Sequence, residues 1–434
     1  MDKMADVLGR AGAWCGQNKY LSAIKNAFQN FMPLTIAGAI GVLWCNVLVN
    51  ETTGLGMFFK PIMALDFLNP AFQAVNFCTI SCITVGITLG IAQEIGVWNM
   101  GAERAGYIPG LVGLAAWLSV TNTSHMVDGA KEAFTGVAGN ELGATGLFTG
   151  MIIGVLSVEL FCFFEKQDAL KIKMPEQVPP GVARAFEVLV PATITLIITA
   201  CIGSACYNLT GLYLNDVIKN GIQGPLGAVG ATIPGVMIIY LVIMLFWLVG
   251  IHGNNMLSAV KEALFTPLAL ENVEKFNKGE KPTNIINMYF LQMCGEFGGS
   301  GVTIGLVIAI MIFGKREDNK AIATLSLVPG LFNINETVTF GIPMVLNPIL
   351  GIPFVFACLV TILVGYVLTV IGFCPVACLT VPWTTPPIVF GFLACGANVM
   401  GAVTQAILIV VSTVIYVPFL ISYEKYQNKQ AAEA

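Results

Sequence analysis

The chain alternates long apolar blocks with short polar stretches. Blocks of about spanning length lie at 31–50, 72–92, 106–121, 146–164, 187–207 and 227–251. Longer apolar regions follow near 285–314, 321–372 and 385–422, interrupted by Gly, Pro and Asn. A helix that crosses a bilayer needs about 20 mostly apolar residues. The pattern therefore predicts an all-α integral membrane protein with about ten transmembrane helices plus re-entrant hairpins.

Composition supports the same solvent. Of 434 residues, 56% are hydrophobic and 11% charged, whereas soluble chains carry about a quarter charged residues. There are too few charges to coat a soluble fold. A net charge of -4 leaves no basic surface for nucleic acid. The first apolar block starts too late and runs too long for a cleaved secretory signal. The 12 cysteines show neither metal nor disulfide spacing. Cys78/Cys82 and Cys374/Cys378 are four apart, which places each pair on one helical face as small packing residues. No Walker A, dinucleotide or zinc motif occurs, so neither cofactor nor metal is expected.

Lysine and arginine set the orientation. Lys3, Arg10, Lys19 and Lys25 precede the first block. Lys166, Lys171, Lys173 and Arg184 follow the fourth, and Lys261, Lys275, Lys278 and Lys281 follow the sixth. The opposite side carries Lys60, Lys131 and Lys219, one per segment. This alternation, with Lys425 and Lys429 at the end, predicts cytoplasmic N- and C-termini for a multi-pass protein of a cell membrane.

Four segments follow. Residues 1–30 read as an amphipathic cytoplasmic helix lying on lipid, 31–170 as a first transmembrane domain, 171–187 as a polar, proline-containing surface linker, and 188–434 as a second transmembrane domain. Gly86-x-x-x-Gly90 and Gly146-x-x-x-Gly150-x-x-x-Gly154 allow close helix approach. A dimer face and packing within one subunit both fit that spacing.

Charges at the bilayer centre cost roughly 2.5–3.5 kcal/mol and mark functional sites by default. Glu336 is the only charged side chain from Ala321 to Tyr423, within Pro329-Gly-Leu-Phe-Asn-Ile-Asn-Glu336. Broken backbone at membrane depth lines a cavity or is buried in protein. A carboxylate beside the Asn333 and Asn335 amides suits the hydroxyls of a sugar; a structural cap on a half-helix is the other reading. His252, in Trp247-Leu-Val-Gly-Ile-His-Gly-Asn-Asn255, can exchange a proton near neutral pH, or sit in a loop at the end of a span. Glu296, in the glycine-rich stretch Cys294-Gly-Glu-Phe-Gly-Gly-Ser-Gly301, fits a hairpin tip near solute, or a half-helix end that meets water. Trp247 and Trp383 offer flat faces for a sugar ring, or interfacial anchors. His125 lies in a polar loop and receives no role.

These stretches resemble the membrane IIC components of the lactose/cellobiose/chitobiose family of bacterial phosphotransferase systems. The resemblance rests on Ile172-Lys-Met-Pro-Glu-Gln-Val-Pro-Pro-Gly-Val-Ala-Arg184, Gly250-Ile-His-Gly-Asn254, Gly298-Gly-Ser-Gly301, and Pro329-Gly-Leu-Phe-Asn-Ile-Asn-Glu336 followed by Gly341-Ile-Pro-Met-Val-Leu-Asn-Pro348. It covers nearly the whole chain.

The resemblance implies a homodimer. Each subunit would hold an N-terminal interface domain and a C-terminal sugar-binding domain with two re-entrant hairpins, moving as an elevator. A disaccharide would be phosphorylated, at the 6-hydroxyl in the family, by the phosphocysteine of a separate IIB protein charged by IIA. The chain would thus be the membrane subunit of a phosphotransferase complex and not itself phosphorylated. It ends soon after its last span, so no fused IIA or IIB domain is expected. Carried over by motif, Glu336 and His252 match the sugar-contacting acid and the histidine near the acceptor hydroxyl. Asn333 and Asn335 match the amides around the acid, and Trp383 matches more loosely. The family usually places proline after that glutamate; this chain has Thr337, which restores an N–H and relaxes φ.

Two rivals stand beside this reading. An ion-coupled transporter would use Glu336 as a proton site without IIB, and a receptor would bind sugar without accumulating it.

Overall fold

In the computed structural model the described residues are 10–11, 13–14, 17–51, 55–125, 133–175, 177–342 and 344–433. Residues 1–9 of the expected N-terminal helix, Lys131 and Glu176 lie outside them. The described chain is almost wholly helical, as the apolar pattern predicts; its strands are two short antiparallel ones, pairing Ser124 with Thr135 and His125 with Phe134.

Five helices are long and apolar enough to cross a bilayer: Lys19–Leu48, Ala144–Glu165, Pro180–Thr210, Gly351–Val370 and Val399–Glu433. Two bent pairs, Lys60–Ser81 with Ile83–Met100 and Met288–Val302 with Ile304–Phe313, raise this to seven. Ile108–Val120 and Ile233–Leu248 are shorter apolar helices. The expected count of about ten includes blocks that fold as these short or broken helices. The outward faces are apolar: on Pro180–Thr210, Leu189, Ile197 and Ile202 are about half exposed or more. Lipid accepts such a face because the helix satisfies its own backbone.

The described chain divides into two compact units, one of residues 10–11, 13–14, 39–73 and 228–433, the other of 17–38 and 74–227. The division at 227/228 lies beyond the linker expected at 171–187. Arg184 and Glu187 of that stretch already belong to the first turns of the Pro180–Thr210 helix. The Lys19–Leu43 helix likewise runs straight through residue 30. Its Ala23 and Ala27 are buried, Asn26 donates to Glu94 at 2.9 Å, and Lys19 pairs with Glu159 at 2.6 Å. These contacts hold residues 19–38 of the helix against the rest of their unit.

Within the unit of residues 17–38 and 74–227, glycine spacing serves close packing inside the chain. A Cβ on Gly86 would stand 2.2 Å from the Phe31 ring, and one on Gly150 2.2 Å from Thr88 Oγ1. The helices meet at backbone distance there, and both runs lie against intrachain neighbours. Trp117, fully buried, packs with Ala116, Val120 and Ile153. Buried Glu165 accepts from Arg104 and Arg184, both at 2.8 Å. Glu187 pairs with the same two arginines at 3.0 and 2.9 Å.

In the other unit, Gly305 faces Ser412, which joins the Ile304–Phe313 and Val399–Glu433 helices, and Gly365 faces Cys294, which joins the Gly351–Val370 and Met288–Gly295 helices. The helical-face reading of Cys374/Cys378 fails. The helix ends at Val370, Gly372 turns at φ 78° and Pro375 follows, so both cysteines sit on irregular backbone. Cys374 Sγ instead faces Cys395 Sγ at 3.9 Å.

Candidate functional site

All seven predicted site residues fall in the unit that contains residues 228–434. Two breaks in helices build the site. Between Gly295 and Ile304 the backbone turns through Gly298, Gly299 and Gly301, all at positive φ. Such turns expose polar backbone groups, which need partners inside a membrane protein. Gly298 O accepts from Thr303 Oγ1 at 2.8 Å, and Gly301 O from the buried Tyr416 hydroxyl at 2.8 Å.

The second break lies between the Glu317–Leu331 and Glu336–Gly341 helices. Asn333 takes φ 63°, a left-handed conformation that asparagine tolerates better than most side chains. Its Oδ1 accepts from Gly298 N at 2.6 Å. Its Nδ2 donates to the Trp383 carbonyl and, at 3.2 Å, to Thr385 O. Asn335 Nδ2 donates to Ser300 O at 2.8 Å. The two tips are thus bonded to each other, and the site asparagines tie them. Gly299 makes the approach possible, since a Cβ there would lie 2.5 Å from Asn335 Cγ.

Asn335 is the N-cap of the short helix, and Glu336 is its first residue, half exposed. Thr337 follows in the first turn, where backbone N–H groups have no intrahelical partner. Threonine in place of the family proline therefore leaves the ladder from Thr339 N to Asn335 O, 2.9 Å, unaltered.

His252 caps the Gly253–Met256 helix: its Nδ1 accepts from Asn255 N at 3.3 Å. The neutral ring then carries its proton on Nε2. That nitrogen lies 3.9 Å from Glu336 Oε1. Trp247 backs the imidazole, with ring centroids 4.4 Å apart and the indole buried. Trp383, 44% exposed, lies on a separate irregular segment between the Gly351–Val370 and Val389–Ala394 helices. Buried Gln405 pins the end of that segment, accepting from Ile388 N and Gly391 N, each at 2.7 Å.

Glu296 neither faces open water nor stands unpaired. Its carboxylate takes hydrogen bonds from the Lys261 ammonium and, at 2.7 Å, from the Tyr240 hydroxyl. Lys261 is buried, which corrects its use as a topology marker: a charge held by an internal carboxylate does not report a cytoplasmic loop. Sequence reasoning also gave no role to Tyr240, Asn254 or Ser300. Asn254 and Ser300 stand inside the quoted motifs, and Asn254 Nδ2 donates to Ser300 Oγ at 2.9 Å. His125 packs against Phe134 in the two-stranded loop of the other unit.

Comparison with known proteins identifies the family. The family model "Phosphotransferase system, EIIC" matches residues 25–358. The chain is 33% identical to the oligo-beta-mannoside-specific EIIC component of Bacillus subtilis, over 98% of this chain and 94% of that one. It is 29% identical to the cellobiose-specific EIIC component of Lactococcus lactis, over 98% of each. It is also similar to the crystal structure of ChbC, the IIC component of the N,N'-diacetylchitobiose-specific phosphotransferase system. That match has TM-score 0.88 and 29% identity over 97% of each chain. With a family match over most of its length and relatives aligned nearly end to end, the chain belongs to the EIIC family of the phosphotransferase system.

Proposed function

We propose that this protein imports a β-linked disaccharide of the cellobiose, chitobiose or lactose type and presents one sugar hydroxyl, the 6-hydroxyl, for phosphorylation. The donor is the phosphocysteine of a separate IIB protein, recharged by IIA. The protein works as a homodimer in a bacterial cell membrane with both termini cytoplasmic, and its sugar-binding domain moves as an elevator. It forms the membrane subunit of the transferase and is not itself phosphorylated.

The observation that carries this reading is the 3.9 Å gap between His252 Nε2 and Glu336 Oε1. It is too long for a direct hydrogen bond, and one hydroxyl oxygen placed beside the line joining them can lie about 2.8 Å from each. Glu336 accepts the hydroxyl proton while His252 Nε2–H donates to the same oxygen. This role follows from the tautomer fixed by Asn255: the nitrogen that faces the gap is the protonated one. In the transfer the S–P bond of the donor breaks, an O–P bond forms, and the hydroxyl proton passes to the carboxylate. Phosphoryl transfer depends mainly on alignment and charge stabilisation, so a weak base suffices. Trp383 offers the exposed aromatic face against which a sugar ring packs. Asn333, Asn335 and Trp247 hold the shape of the site, and Glu296 acts from beneath it.

The test is uptake of radiolabelled cellobiose into vesicles with and without phosphorylated IIB inside, scoring the chemical form that accumulates. Sugar phosphate formed only with phospho-IIB is expected. Unmodified sugar accumulating without IIB, and lost when the proton gradient collapses, would instead make the protein an ion-coupled carrier with Glu336 as its proton site.

A further inference from the structure

We infer that Asn254 is a positioning residue for phosphoryl transfer: it ties the turn that carries His252 to Ser300 on the glycine-rich tip, to which the Glu336 segment is itself bonded through Asn335, and the buried Lys261–Glu296 pair orients it. The inference rests on the preceding reading of the His252–Glu336 gap as the acceptor site.

The chemistry of the partners sets the direction of each bond. An ammonium only donates and a carboxylate only accepts. Glu296 Oε1 receives bonds from Lys261 Nζ and from the fully buried Tyr240 hydroxyl, 2.7 Å away. Lys261 Nζ also lies 3.5 Å from Asn254 Oδ1. The ammonium cannot accept, so the Asn254 amide must turn its oxygen to Lys261 and its NH₂ to Ser300 Oγ at 2.9 Å. Ser300 O in turn accepts from Asn335 Nδ2 at 2.8 Å, and Asn335 directly precedes Glu336.

At the other end, Asn254 stands two residues after His252. Gly253 lies between them, where a Cβ would sit 2.0 Å from Ile243 O, so the turn has one place to be. The Asn254 and Asn335 amides therefore connect the segments that carry the two facing groups, both through Ser300. Without Asn254 the short Gly253–Met256 and Glu336–Gly341 helices lose their shared anchor, and the gap between His252 and Glu336 is free to widen. Displacement of reacting groups by about 1 Å lowers rates on the order of 10²-fold.

Two variants separate hydrogen bonding from shape. Asn254→Leu keeps the side-chain shape and removes both bonds. Asn254→Asp keeps an oxygen for Lys261, and the Ser300 hydroxyl can rotate to donate to the other oxygen. Vesicles with phospho-IIB inside give kcat and KM for cellobiose phosphorylation. Asn254→Leu is expected to lower kcat by about 10²-fold with KM held within about threefold, and Asn254→Asp to recover about a tenth of the parent kcat or more. Parent-like kcat and KM in Asn254→Leu would overturn the inference, as would Asn254→Asp falling as low as Asn254→Leu.

If Asn254→Leu does not fold, Ser300→Ala takes its place, removing the hydroxyl while keeping the carbonyl that Asn335 uses. A fall in kcat of about tenfold with KM kept is expected, and an unchanged kcat overturns the inference. A parent protein that makes no sugar phosphate with phospho-IIB defeats the functional reading itself. An active parent with an unimpaired Asn254→Leu variant defeats this inference alone.

Discussion

His252 Nε2 and Glu336 Oε1 face each other 3.9 Å apart, each on a turn that opens a short helix. Neither turn holds this geometry alone. Asn255 N–H fixes the imidazole, and Asn335, bonded to Ser300, fixes the start of the glutamate helix. The pair presents one acceptor and one donor to a hydroxyl oxygen placed beside the line that joins them.

The donor role of His252 gives the first prediction. Glutamine can place an N–H donor near the imidazole Nε2 position but cannot act as a base. His252→Gln is expected to keep kcat for phosphorylation within about tenfold of the parent, whereas His252→Ala loses about 10²-fold or more. Equal losses in the two variants, measured at saturating cellobiose and phospho-IIB, would point to a general base instead.

Gly299→Ala tests the contact between the two hairpin tips. The new Cβ would meet Asn335 Cγ at 2.5 Å, on backbone at φ 88°. Strained backbone alone costs about 1–3 kcal/mol. The variant is expected to show a lowered Tm and lost binding of cellobiose by isothermal titration. Parent-like binding would mean that the tips need not touch.

The Lys261–Glu296 pair should behave as a buried ion pair. Lys261→Met leaves Glu296 without its cation and is expected to destabilise the fold by about 3 kcal/mol, seen as a lower Tm. The double variant Lys261→Met/Glu296→Leu should recover most of that loss, because apolar replacement of a whole buried pair is often neutral or better. A single variant as stable as the parent would show that Glu296 finds its stabilisation elsewhere.

Much of the site was legible in the sequence because charge is scarce. Glu336, His252 and Glu296 stand alone in long uncharged stretches, and the breaks around them announce themselves through Gly, Pro and Asn. Lys261 is hidden for the opposite reason: it shares its stretch with other lysines and reads as one more loop cation, while its partner Glu296 comes 35 positions later. The Asn254–Ser300 bond, across 46 positions, is likewise a tertiary fact that no local spacing reports. The Lys19–Leu43 helix ran past its expected boundary because its polar residues meet Glu159 and Glu94 inside the fold. Cys374 and Cys378 left the helical register because Gly372 and Pro375 end the helix first. The length of the apolar blocks identified the fold class. Where short helices break off, propensity gave way to tertiary contacts such as those of Gln405 and Tyr416.

The most direct test of the central claim is single-turnover transfer of labelled phosphate from phospho-IIB to cellobiose on the purified protein, comparing the parent with Glu336→Gln. Labelled sugar phosphate is predicted with the parent, and a loss of at least about 10²-fold with Glu336→Gln, whose amide can no longer accept the hydroxyl proton. Equal transfer rates in the two proteins, or label that stays on IIB with the parent, would contradict the account.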